Sequence, residues 1–149
     1  MDDESKMALN YDTFVSRLQG FYPADEVPDA WWPFTRLCAR EVAARLPPDA
    51  FKWLTLVEQC EAGTITDAEM KGHHDAALAF ANARLVSQSD REAMYVVTFG
   101  LNPRPNATPW YSIIDEMVDH LEAADVPRQR IMAMLREGFP DCYPASYPG

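Results

Sequence analysis

Cationic side chains are scarce in this chain. Lysine and arginine together number 13 in 149 residues, against 23 aspartates and glutamates, and the net charge is −10. A surface this acidic repels phosphate backbones, so direct nucleic-acid binding is not expected. Glycine is sparse as well, at six residues. None of the six falls into G-x-G-x-x-G or G-x-x-x-x-G-K, the loops whose backbone amides cradle nucleotide phosphates. The nucleophile elbow G-x-S-x-G and the zinc-binding H-E-x-x-H are also missing. The three cysteines, Cys38, Cys60 and Cys142, are an odd and widely spaced set with no C-x-x-C. Reduced thiols account for them more simply than a disulfide frame or a thiolate metal site. No apolar run approaches the ~18 residues of a membrane span, so no membrane partner is expected. The opening Met1-Asp2-Asp3-Glu4 lacks the basic-then-apolar order of a secretory signal, and a cytoplasmic location is the corresponding expectation.

What remains is the composition of an ordinary globular domain, 48% hydrophobic and 11% aromatic. The length suits one domain over residues 1–149 with a core that needs no covalent staples. Arginine outnumbers lysine ten to three and alanine is abundant, which fits a GC-rich bacterial or phage genome.

Apolar periodicity predicts an all-α fold, an irregular bundle of six or seven helices. Residues 1–9 read as flexible, and Asn10 as the cap of a short helix carrying Tyr11, Phe14, Val15 and Leu18. A helix beginning near Pro33, capped by Asp29 or Trp32, places Phe34, Leu37, Cys38, Val42 and Leu46 on one face. Glu41 stands four residues before Arg45, the favourable order for an intrahelical pair. Pro47-Pro48-Asp49 turns the chain into a second helix, Phe51–Cys60. That helix is apolar around most of its circumference and reads as the buried axis of the domain.

Thr66-x-x-Glu69 and Ser89-x-x-Glu92 both match the capping box. The first opens a helix reaching Leu85 or Val86. After the second, Ala93–Leu101 is ambiguous. Tyr95-Val96-Val97-Thr98-Phe99 favours a strand, whereas the cap signal favours a helix, which is the assignment adopted. Thr108-Pro109 starts a further helix, with Trp110, Ile113, Ile114, Met117, Val118 and Leu121 on its apolar stripe. The last helix carries Ile131, Met134 and Leu135 and ends at Gly138 and Pro140. Residues 139–149, rich in proline and tyrosine, read as an extended tail.

Four acids, Asp115, Glu116, Asp119 and Glu122, lie opposite the apolar stripe of the Trp110–Leu121 helix. They form a face suited to lysines and arginines that otherwise hold phosphate. Of the successive blocks 1–30, 31–60, 61–90, 91–120 and 121–149, only 31–60, with four bases against three acids, is not acidic. It opens with Trp31-Trp32-Pro33-Phe34. Tryptophan is a normal core residue with a polar handle, and one reading has both covered by this chain itself. Adjacent tryptophans do not easily face one core, however, and tryptophan is enriched at interface centres, so Trp31 and Trp32 are also candidate contact residues flanked by Arg36 and Arg40. The corresponding function is a small non-enzymatic protein-binding module, an inhibitor or immunity-type protein directed at a basic partner, without a cofactor.

Two alternatives come from the same residues. Glu69, His73 and His74 suggest a metalloprotein or enzyme. Only Glu69 and His73 share a helix face, however, and a structural zinc site takes four ligands. Cys60 with His74 is a formal nucleophile pair that no spacing recommends. The third reading is a self-associating accessory protein, a homodimer through Trp31 and Trp32. The turn before Val126–Arg136 superficially suggests helix-turn-helix. Arg128, Arg130 and Arg136 then follow an acidic helix, which argues for a solvated face instead. His120 reads as a surface histidine.

Overall fold

The computed structural model describes residues 3–61, 65–85, 87–102 and 110–142, with side chains from Tyr11 onward except those of Cys60, Glu61 and Asp141. Seven α-helices account for most of these residues: α1 (Asp3–Phe21), α2 (Trp31–Val42), α3 (Phe51–Glu61), α4 (Asp67–Arg84), α5 (Gln88–Phe99), α6 (Ser112–Ala123) and α7 (Arg128–Gly138). Among the described residues there is no strand, and the fold is all-α.

The segment whose type was ambiguous from its residues is the centre of the bundle. Helix α5 packs against α2, α3, α4 and α6. Ala93, Met94, Val96, Val97 and Thr98 are buried on it, and Tyr95 and Phe99 are half-buried. A helix covered on so many sides keeps β-branched and aromatic residues, because burial outweighs their few tenths of a kcal/mol of helix propensity (~0.5 each). Thr98 solves its polar problem locally, donating to the carbonyl of Tyr95 at 2.6 Å. Its cap is Ser87, which accepts from the amide of Asp90, so the helix starts two residues before the Ser89 box.

Helix α3 is not the buried axis that its composition suggests. Among its described side chains only Trp53 and Val57 are buried, while Phe51 is 47% exposed. Apolar content around the helix measured hydrophobicity, but only one stripe of it meets α2, α4 and α5. Gly100, just past α5, permits that contact, since a Cβ there would lie 2.8 and 3.0 Å from the two methyls of Val57.

A second centre is aromatic. Phe139 is 1% exposed, with ring centroids 5.3 Å from Phe34, 6.0 Å from Phe14, and 6.3 Å from both Tyr22 and Trp110. It thereby joins α1, α2 and the start of α6 to α7. Its burial corrects the reading of 139–149 as an extended tail: Pro140–Cys142 is a short 3-10 turn, and Cys142 is buried. Arg17 clamps that turn to α1, donating to the carbonyl of Cys142 at 3.0 Å. Residues 143–149 lie outside the described residues.

Helix boundaries differ from expectation where tertiary contacts take over. Helix α1 begins at Asp3 rather than at an Asn10 cap, and its first turns carry acids and good helix formers, which suit a helix N-terminus. Helix α2 starts at Trp31 after an uncapped Ala30, with neither Asp29 nor Trp32 as its cap. It tightens into a 3-10 turn at Ala43–Arg45, and the Glu41–Arg45 register is lost. Glu41 instead pairs with Arg130 of α7 at 3.0 Å, and Arg45 lies 3.9 Å from Asp125. Asp49 sits inside a 3-10 turn, Pro48–Ala50, rather than capping α3. Thr66 does cap α4, accepting from the amide of Glu69 at 3.2 Å. Thr108 and Pro109 lie outside the described residues, and α6 takes its first helical turn at Ser112.

Helices α6 and α7 are joined through a left-handed residue, Asp125, at φ 67°. The amide of Val126 bonds to Leu121 and that of Asp125 to Glu122, both at 3.0 Å, the double closure of a Schellman motif. Leu121 and Val126, at the two positions whose apolar contact commonly accompanies the motif, are both buried. Glycine is the common residue at this place. Asp125 holds it by accepting from the Ser89 hydroxyl at 3.1 Å while Arg45 approaches its carboxylate. The short turn fixes α7 beside α6 and opens the groove described next.

Candidate functional site

Helix α6 presents two faces of opposite character. Ile113, Ile114, Met117 and Leu121 are buried, whereas Asp115, Glu116, Asp119 and Glu122 are all exposed. Helices α1 and α7 lie on either side of the acidic face. Tyr11 of α1 donates its hydroxyl to Asp115, and Arg128 of α7 pairs with Glu122 at 3.2 Å. Between the three helices runs a groove of about 220 Å³. Its floor is apolar: Val118 is half-buried, Ile131 is 2% exposed and Met132 7%. Its rim carries Asp12, Asp119 and Glu122, with Arg128 as the single lining cation among the described residues.

Intramolecular partners account for part of that charge. Glu122 is paired with Arg128 and Asp115 accepts from Tyr11. Asp12, Glu116 and Asp119 have no hydrogen-bond or ion-pair partner among the described residues. The field is felt by Tyr11. Burial, the hydrogen bond to Asp115 and the charges of Asp115, Asp119 and Asp12 all push its phenol above the ordinary tyrosine range.

The tryptophan pair divides. Trp31 is fully buried, with ring centroids 5.7 Å from Phe34 and 6.1 Å from Phe99. It belongs to the core, and its assignment to a contact surface is corrected accordingly. Trp32 is half-buried and packs on the same core. The helical turn of ~100° per residue separates the two rings, so one points inward while its neighbour lies at the margin. Arg40 of the same helix is engaged by Glu58 of α3 at 2.6 Å.

The histidines are not assembled into a metal centre. Among the described residues no group of three histidines, cysteines, aspartates or glutamates could hold an ion. Glu69 accepts from the Thr66 hydroxyl at 2.9 Å. His74 lies 3.2 Å from the carboxylate of Asp75, which Lys71 also reaches at 3.2 Å. These bonds, that from His74 foremost, hold the Asp75 carboxyl below its usual range. The Cys60 side chain lies outside the described residues. Cys38 is buried, and burial raises its thiol well above the ordinary range, so it is not an activated nucleophile.

His120 departs from its reading as a surface residue. It is half-buried between α5 and α6, pairs with Glu92, and lies 5.4 Å from the Tyr95 ring and 5.7 Å from the Phe99 ring. Arg128 and Arg130, which a recognition helix would offer to DNA, are held by Glu122 and Glu41.

Tyr11, Asp12, Ile131 and Met132 are groove residues that sequence reasoning did not assign to a site. Tyr11 and Ile131 were legible as apolar positions, but nothing in either helix shows that α1 and α7 flank α6. The chain matches no protein-family model, no curated protein and no solved structure.

Proposed function

We propose that this chain is a small non-enzymatic protein-binding module, an inhibitor or immunity-type protein of bacterial or phage origin. It engages a basic partner protein, of the kind that carries lysines and arginines for nucleic acid, through the acidic face of α6. The observation that carries the reading is that Asp12, Glu116 and Asp119 stand exposed beside an apolar groove with no ion-pair partner among the described residues. Exposed carboxylates with cations already on them gain little from a partner. These three have no ion pair among the described residues to lose on binding, and a protein of net charge −10 adds a long-range field that speeds encounter. Trp31 has no part in this surface.

The test is the affinity for a partner captured from the native host, measured at about 50 mM and about 500 mM salt, where the screening length falls from ~14 Å to ~4 Å. Affinity is expected to fall about tenfold or more, chiefly through slower association, and a Glu116→Gln/Asp119→Asn variant is expected to lose most of that salt dependence. Equal affinity at both salts, with the variant binding as the parent does, overturns the electrostatic mechanism.

A further inference from the structure

We propose that the groove between α1, α6 and α7 is the receptor for a single arginine side chain of the partner. This rests on the reading of the acidic face as a protein-binding surface, and it names what that face recognises.

Size points to one side chain. At about 220 Å³ the groove is smaller than the ~300–1,000 Å³ of pockets that enclose drug-sized ligands or cofactors. Its layering points to a residue with an apolar stem and a charged head. Ile131 and Met132 lie at the bottom, nearly inaccessible, while Asp12 and Asp119 stand exposed above them. A methylene stem covers the first pair, and a cationic head meets the second.

The choice of arginine over lysine follows from the arrangement of the acceptors. Asp12 and Asp119 come from different helices and are in no ion pair among the described residues, whereas Glu122 and Arg128, the cation that shares the lining, are paired with each other. A planar fork of five donors reaches two separate carboxylates at once, and an ammonium does so less well. Tyr11 lines the same groove with its hydroxyl tied back to Asp115, which fixes the ring as a wall. A guanidinium stacks on such a ring and is more easily stripped of water than an ammonium. The groove wall lies in a negative field: Asp115, Asp119 and Asp12 are the charges that act on the Tyr11 phenol.

The experiment is an NMR titration of the full isotope-labelled chain with short capped alanine peptides carrying one arginine, one lysine or one citrulline. At about 50 mM salt the arginine peptide is expected to give saturable shifts at Tyr11, Val118, Asp119 and Met132, with a Kd on the order of 1 mM. The lysine peptide is expected to bind several-fold more weakly and the uncharged citrulline peptide not to saturate. The Asp12→Asn/Asp119→Asn variant replaces two exposed side chains by isosteres. It is expected to keep the parent's unfolding midpoint and to weaken the arginine peptide about tenfold. Shifts that are absent or map elsewhere, equal binding of lysine, or a variant that binds normally each overturn the assignment. The two proposals fail separately. If the whole partner still binds in a salt-sensitive manner while the arginine peptide ignores the groove, the receptor falls and the acidic-face reading stands. If partner binding is insensitive to salt, the acidic-face reading falls whatever the peptides do.

Discussion

Replacing Gly100 by alanine puts a methyl group where α5 and α3 meet. The backbone does not object: Gly100 has φ −73° and ψ −11°, which alanine adopts freely. On conformational grounds alone, the change stabilises by about 0.4–1 kcal/mol, because the unfolded chain loses freedom. Packing opposes it. The new Cβ lies 2.8 and 3.0 Å from the Val57 methyls and 3.3 Å from the Thr35 hydroxyl. Carbon atoms prefer ~3.5–4.0 Å, so two contacts are short by about half an ångström or more. Val57 is 2% exposed, and a valine in a helix has essentially one χ1 rotamer, so its methyls do not swing aside. Helix α3 must shift, and overpacking of this kind costs about 1–3 kcal/mol. The clash therefore wins, leaving a net loss of roughly 1–2 kcal/mol. The same substitution at Gly72 in α4 meets nothing within 4 Å and is expected to stabilise by about 0.5–1 kcal/mol. Urea unfolding followed by circular dichroism measures both. The double variant Val57→Ala/Gly100→Ala supplies the decisive comparison. Val57→Ala alone removes two buried methyls, at about 0.8 kcal/mol each plus a cavity term. The alanine methyl then enters the vacated space, so the pair should be less destabilised than the sum by roughly 1 kcal/mol. Strict additivity, or a Gly100→Ala protein stabilised as much as Gly72→Ala, refutes the apposition of α5 on Val57.

Two further outcomes follow from single residues. Asp125 tolerates its left-handed backbone with the help of Ser89 and Arg45. Asp125→Gly relieves ~1 kcal/mol of strain but gives up those contacts and adds chain entropy, and its stability should stay within about 1 kcal/mol of the parent. Asp125→Val gives up the contacts and keeps the strain, and should be less stable than the glycine variant by about 1–2 kcal/mol; equal midpoints for the two would disprove the assignment. Alkaline pH should weaken the fold. Both Tyr11 and Cys38 have folded-state values raised above their ordinary ones. The native chain thus holds protons that the unfolded chain releases, so stability is complete below about 8.5 and declines above it, more steeply above about 10. Tyr11→Phe should flatten the part of the urea-midpoint profile above about pH 10, and an unchanged slope there would remove Tyr11 from the account.

Helix type and charge could be read from the chain because they are local properties. Thr66 caps α4 through a contact three residues away, and the acids of α6 fall opposite Ile113, Ile114, Met117 and Leu121 through the 3.6-residue period alone. Even the ambiguous Ala93–Leu101 segment resolves locally, since a serine cap starts its helix. Depth is not a local property. Phe51–Cys60 is as apolar as α5, yet Phe51 faces solvent while Val96 and Val97 do not. Burial depends on how many neighbours surround a helix, and those neighbours are distant in sequence. The same reason moves Trp31 into the core, gives Glu41 to Arg130 rather than Arg45, and sets Phe139 among four rings from three other parts of the chain. The candidate site divides in the same way. Its four acids on α6 are a pattern along one helix, but the groove exists only because a Schellman turn at Asp125 lays α7 beside α6 and α1 closes the other wall with Tyr11 and Asp12. Covalent order specifies which side chains are acidic or apolar, whereas packing alone decides which acids stand together over an apolar floor, and which of them, like Glu122, meet a cation there.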